Sequence, residues 1–137
     1  MVNGAVSRLR KGLHMKLFKN PDIETPMSLR SNTLRIDWYD ADEGLNGDYD
    51  PDNPDDIHLL RFDVYAKKPN SRIWTAVEDA SYCTNMPIDT DPAILERALR
   101  YLFKEYEDAM KSGGSVKKLG EGLSWIGPED FPAKTAR

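Results

Sequence analysis

At 137 residues, 39% apolar and 31% charged, the chain has the size and composition of one globular domain, large enough to bury a core and too apolar for a disordered segment. A single cysteine, Cys83, excludes an intramolecular disulfide and a cysteine-rich zinc site, and no apolar run reaches the roughly 18 residues of a membrane span or follows the N-terminal basic residues as a secretory signal would, so a reducing cytoplasm is the expected location. The net charge of −4 is unevenly spread, with +5 over residues 1–35, −9 over residues 36–66 and balance over residues 67–137, an asymmetry that bears on partners and steering rather than on fold.

Residues 1–27 show weak periodicity. Gly4 and Gly12 discourage a helix, Pro21 and Pro26 mark an extended lead-in, and Met15 offers an alternative start, so this stretch is expected to be a basic, weakly structured arm. The first strand is expected at residues 33–39, where Leu34, Ile36 and Trp38 alternate with Arg35, Asp37 and Tyr39. Residues 40–56 then hold eight acids, two glycines, two prolines and two asparagines, which predicts a long surface loop. A second strand is expected at 57–66, with Leu60, Phe62 and Val64 on one face, and a turn at 67–71. A third strand, 72–84, is expected to pair with the second as a hairpin, with Glu78–Asp79 as a bulge.

The helical pattern is the clearest of all. Asp91 is a good N-cap and Pro92 suits the first helical position. Ile94, Leu95, Ala98, Leu99, Leu102, Phe103, Tyr106 and Met110 form one apolar stripe, and Gly113–Gly114 ends it. Ser115 caps a short second helix, after which Trp125 and Ile126 are expected to return to the core. The expected class is α+β: a three-stranded or slightly larger antiparallel meander covered by one long C-terminal amphipathic helix plus a short second helix. The expected organisation is an arm over 1–27, a single domain over 28–127 and a flexible tail over 128–137.

Four constellations could carry chemistry. The acidic loop comes first, because nine acids and no lysine or arginine lie between residues 36 and 60. Its carboxylates, Asp40, Asp42, Glu43, Asp48, Asp50, Asp52, Asp55 and Asp56, read as a face for a partner with a basic, nucleic-acid-binding surface, or as a solvated loop that protects an edge strand. Asp48, Asp50 and Asp52 have the spacing that opens a calcium loop, but Asn53 and Leu59 stand where that loop needs Gly and Glu. Divalent-metal binding, or a small enzyme using the same carboxylates, is therefore the alternative. Second, hairpin pairing would bring His58 near Cys83, yet nothing orients such a pair and no oxyanion motif is present. Third, Gly113–Gly114–Ser115 precedes a helix but lacks phosphate-loop spacing and reads as a connector. Fourth, Arg8, Arg10, Lys11, Lys16 and Lys19 form the only segment expected to touch nucleic acid directly. No cofactor and no enzymatic activity are expected. A homodimer through an edge strand or the arm stays open.

The stretch from Glu43 through the run GLNGDYDPDNPDD to Ile57 and HLLRFDVY, then DASYCTNMPIDTDPAILERALRYLF, then Leu123–SWI126, resembles a group of small proteins encoded on bacterial prophages, plasmids and conjugative elements. The resemblance spans about residues 30–126 and leaves out the arm. That group has no established activity, so it assigns no residue roles. It implies context: small acidic proteins on mobile elements are often counter-defence factors, anti-CRISPR or antirestriction inhibitors among them, and some mimic the charge of DNA. The expectation is a non-enzymatic interaction module acting on a defence nuclease in a bacterial host cell.

Overall fold

A computed structural model describes residues 15–20 and 22–132. They form one antiparallel sheet with a helical layer on one face. The strands are β1 (Lys16–Lys19), β2 (Met27–Arg30), β3 (Leu34–Gly44), β4 (Gly47–Asp48), β5 (Leu59–Ala66), β6 (Thr75–Ala76) and β7 (Tyr82–Pro87). Helices α1 (Pro92–Ser112) and α2 (Val116–Leu123) follow, then a 3-10 turn at Pro128–Asp130. The sheet runs β1-β2-β3-β5, with β6 and β7 end to end along the far edge of β5 and β4 closing a hairpin on β3. The α+β class and the antiparallel meander under a long and a short helix are as expected, with the sheet somewhat larger than three strands.

The alternating side chains of β3 and β5 explain the two layers. Leu34, Ile36, Trp38, Leu60, Phe62 and Val64 are all buried beneath α1, whose Leu95, Ala98, Leu99, Leu102, Phe103 and Tyr106 face them. Two buried hydrogen bonds pin the layers together: Trp38 Nε1–H donates to the Leu95 carbonyl at 2.9 Å, and the Tyr106 hydroxyl donates to the Ala80 carbonyl at 2.5 Å. The helix limits follow local chemistry. Asp91 Oδ1 accepts the Ala93 amide, Pro92 opens the first turn, and Gly113 ends the helix in the left-handed region at φ 74°. Ser115 caps α2 by accepting the Lys118 amide. The pairs Glu96–Arg100, Lys104–Asp108 and Glu107–Lys111 lie along the solvent side of α1.

Several expectations change. Lys16–Lys19, assigned above to the arm, is an edge strand on β2, and Met27 belongs to the core. β1, Lys-Leu-Phe-Lys, does not alternate, β2 alternates over only four residues, and lysines at both ends of β1 suit an exposed edge. Residues 1–14, including Arg8, Arg10 and Lys11, lie outside the described residues. The third strand is broken in two: only Thr75–Ala76 and Tyr82–Pro87 pair with β5, and between them Asp79 takes φ 63° in a turn at the expected bulge. Ile126 is buried as expected, but Trp125 is 77% exposed. The tail is partly anchored, since Phe131 packs on Tyr101 and its carbonyl accepts Arg97.

Candidate functional site

β3 continues five residues beyond its expected end, through the sequence Asp40-Ala-Asp-Glu-Gly44. Pairing with β5 proceeds regularly to Tyr39↔Arg61, then slips and resumes at Glu43↔Leu59. Residues 40–42 therefore bulge opposite Leu60 alone, with Asp42 at φ 55°. On the other side of Leu60, β7 carries its own irregularity between Cys83 and Met86. There Thr84 fills the gap, its hydroxyl donating to the Leu60 carbonyl and accepting the Met86 amide.

The bulge turns two carboxylates toward the residue that precedes β5. His58 Nε2 lies 2.6 Å from Asp40 Oδ1 and 3.5 Å from Asp42 Oδ1. The imidazole stacks on Tyr49, with ring centroids 4.4 Å apart and planes within 16°. The Asp40 side chain is only 8% exposed, whereas that of Asp42 is 88% exposed. Among the described residues this is the one group of three metal-ligating side chains whose ligand atoms all lie within 4.8 Å of one another. Asp48, Asp50 and Asp52, the calcium-like spacing, form no such group.

The rest of the acidic segment is an ordered loop organised by Asp56. Its Oδ1 accepts the amides of Leu45 and Ile57, at 2.8 and 2.9 Å, and its Oδ2 accepts that of Asp50 at 2.9 Å. Those backbone donors, Leu45 and Asp50 foremost, hold the Asp56 carboxyl below its ordinary pKa. Asp50 and Asn53 accept the amides two residues on, and backbone turns close at Asn53 and Asp56. Asp42, Asp48, Asp50, Asp52 and Asp55 are left exposed, while Asp40, Glu43 and Asp56 are half-buried. Glu43 and Asp48 stand directly opposite each other across the hairpin, a like-charge pair that costs stability.

Gly44 is needed for this arrangement. A Cβ there would sit 2.4 Å from Asp56 Oδ2, closer than atoms can approach. Gly44→Ala and Asp56→Ala are both expected to release residues 45–57, seen as a loss of amide-exchange protection at Leu45, Asp50 and Ile57 with α1 unchanged. Protection retained in both variants would show that the turns hold without the Asp56 carboxylate.

Asp37 is not part of the acidic face. It is 2% exposed, on the sheet side away from α1, and is held by Arg35 and Ser28. Cys83 and His58 do not meet either. The bulges place Cys83 opposite Arg61, while the His58 carbonyl accepts the amide of Ile88. Burial, reinforced by the Glu43 charge, pushes the Cys83 thiol up to about 11, so it is protonated at neutral pH and a poor nucleophile.

Sequence reasoning missed two elements of this surface. His58 stands two residues after the last acid of the run, Asp56, and antiparallel pairing of β3 with β5 already implies that residues just past 39 approach residues just before 61. Trp125 gave no signal, since its exposure depends on where α2 ends against the sheet. It borders a cleft of about 330 Å³ that is also lined by Glu43, Leu45, Cys83, Asn85 and Ser124. The acidic hairpin and an exposed indole thus share one continuous surface. Within the cleft wall, Glu43 Oε1 is buried without a hydrogen-bond donor, 3.9 Å from Arg61 Nη1.

No helix among the described residues is long and apolar enough to cross a membrane. The chain matches no known protein family, no curated protein and no solved structure.

Proposed function

We propose that this protein is a non-enzymatic interaction module whose acidic loop, flanked by Trp125, docks on a basic, nucleic-acid-binding surface of a partner protein. One observation carries the reading: Asp42, Asp48, Asp50, Asp52 and Asp55 are exposed on a loop that its own hydrogen bonds hold in shape. Exposed like charges on an ordered loop repel one another, and a cationic partner relieves that cost. An exposed tryptophan on the cleft that Glu43 and Leu45 also line supplies an aromatic anchor and a platform for an arginine side chain. The resemblance to mobile-element proteins favours a bacterial defence nuclease, of the CRISPR-effector or restriction type, as that partner. The inhibitor would then compete with DNA for the nuclease's own groove.

The test is displacement of DNA from a panel of such nucleases by the full chain. The quadruple variant Asp48→Asn, Asp50→Asn, Asp52→Asn, Asp55→Asn spares Asp56 and so leaves the loop organised. It is expected to lose about 100-fold or more in affinity and to melt within a few degrees of wild type, since surface changes alter stability by roughly 0.5 kcal/mol or less. Wild-type affinity is expected to fall steeply with salt. Absence of displacement by the wild type, or displacement indifferent to both the variant and salt, would rule out this function.

A further inference from the structure

We propose that Asp40, Asp42 and His58 form a binding site for a divalent transition metal of the Zn2+ class, which clamps the two ends of the acidic loop together. The site shares Asp42 with the docking face, but Asp48, Asp50, Asp52 and Asp55 take no part in it. It lies at the base of the loop, where residues 40–42 enter it and residue 58 leaves it.

The donor set selects the metal. One imidazole nitrogen and two carboxylate oxygens suit Zn2+, Co2+ or Mn2+, whereas Ca2+ seeks six to eight oxygens. In a tetrahedral zinc site, bond lengths near 2.0–2.1 Å put ligand atoms roughly 3.3 Å apart. The His58 Nε2 to Asp42 Oδ1 distance of 3.5 Å already matches that spacing. The 2.6 Å contact to Asp40 Oδ1 is a hydrogen bond, which opens by under about 1 Å once its proton leaves.

Each ligand is positioned by a contact of its own. Tyr49 stacks on the imidazole, the Asp40 amide donates to the Glu24 carbonyl, and the Asp42 amide donates to Asp40 Oδ1. The Glu24 restraint comes from outside the acidic loop, whereas Tyr49 belongs to the loop and is itself tied to the Asp42 carbonyl. The exposed Asp42 carboxylate opens the site to solvent, which leaves room for water to complete the coordination. The charge balance points the same way. The single imidazole of His58 faces the carboxylates of both Asp40 and Asp42, in a stretch, residues 36–60, that holds no lysine or arginine. A dication satisfies both carboxylates at once.

Calorimetric titration of the chelator-treated full chain with ZnCl2, alongside thermal melting and the visible spectrum of the Co2+ form, tests the site. The expected result is one Zn2+ per chain, a Tm raised by several degrees at metal well above Kd, and Co2+ bands of a low-coordinate site. Asp42→Asn, at an exposed position, is expected to keep the wild-type melting point without metal and to weaken binding at least tenfold. His58→Gln is expected to abolish binding. The variant Asp48→Asn, Asp50→Asn, Asp52→Asn is expected to bind Zn2+ as wild type does. Three results would each overturn the site: no heat and no Tm shift at about 1 mM Zn2+, undiminished binding by His58→Gln, or equal weakening by the three-residue loop variant.

Discussion

Asp37→Ala is expected to lower the unfolding free energy by about 3 kcal/mol, while Asp48→Ala, a change of the same charge in the same acidic segment, shifts it by roughly 0.5 kcal/mol or less. The difference lies in burial. Asp37 is 2% exposed and accepts from Ser28 Oγ at 2.5 Å and from Arg35 through two nitrogens at 2.7 to 3.1 Å. Arg30 extends the network by donating to Ser28 Oγ. Removing the carboxylate strands a guanidinium and a hydroxyl that were turned toward it. Loss of one partner of a fully buried pair costs some 3–5 kcal/mol, and the Arg35 side chain, 23% exposed, can recover part of that from water. Urea denaturation of the two variants decides the matter. The double change Asp37→Leu, Arg35→Met is expected to restore most of the loss, because an apolar pair leaves nothing unpaired. A cost under about 1 kcal/mol for Asp37→Ala would show that the network contributes no more than a surface ion pair.

Trp38→Ala is expected to cost about 4 kcal/mol, enough to leave a domain of ordinary stability marginal at 37 °C. Trp38 is fully buried at the centre of β3 and is bonded through its indole N–H to the Leu95 carbonyl in the first turns of α1. It therefore fills the interlayer space and also sets where the helix begins to cover the sheet. Trp38→Phe separates the two roles. It keeps most of the volume, loses the hydrogen bond, and should cost roughly 1–2 kcal/mol. Trp125→Ala is the contrasting control: with 77% of that residue exposed, the melting point should barely move. Guanidinium unfolding followed by circular dichroism reads all three variants without relying on tryptophan fluorescence. Equal costs for Trp38→Ala and Trp125→Ala would contradict the core described here.

The contrast between Asp37 and its neighbours shows what a charge count conceals. In the sequence Asp37 belongs to the same acidic run as Asp40 and Asp42 and is one of the nine acids between residues 36 and 60. Strand alternation places it on the polar face, but one of the partners that hold it there, Ser28, comes from β2, a strand of only four residues. The calcium-like spacing of Asp48, Asp50 and Asp52 misleads for a related reason. Prolines at 51 and 54 and the hydrogen bonds to Asp56 arrange that segment as successive turns, so spacing along the chain does not become convergence in space.

By itself the sequence determined the class of the domain, the strands with strict alternation, both helices with their caps, and the apolar stripe that joins the layers. Each of these is set by residues within one or two turns of one another, so the information is local. Only the tertiary structure decided that Asp40, Asp42 and His58 meet, that His58 and Cys83 do not, and that Trp125 faces outward. The first two outcomes depend on two bulges on either side of Leu60, and a bulge records how two distant strands settle their register rather than what either strand prefers alone; the third depends on where α2 ends against the sheet.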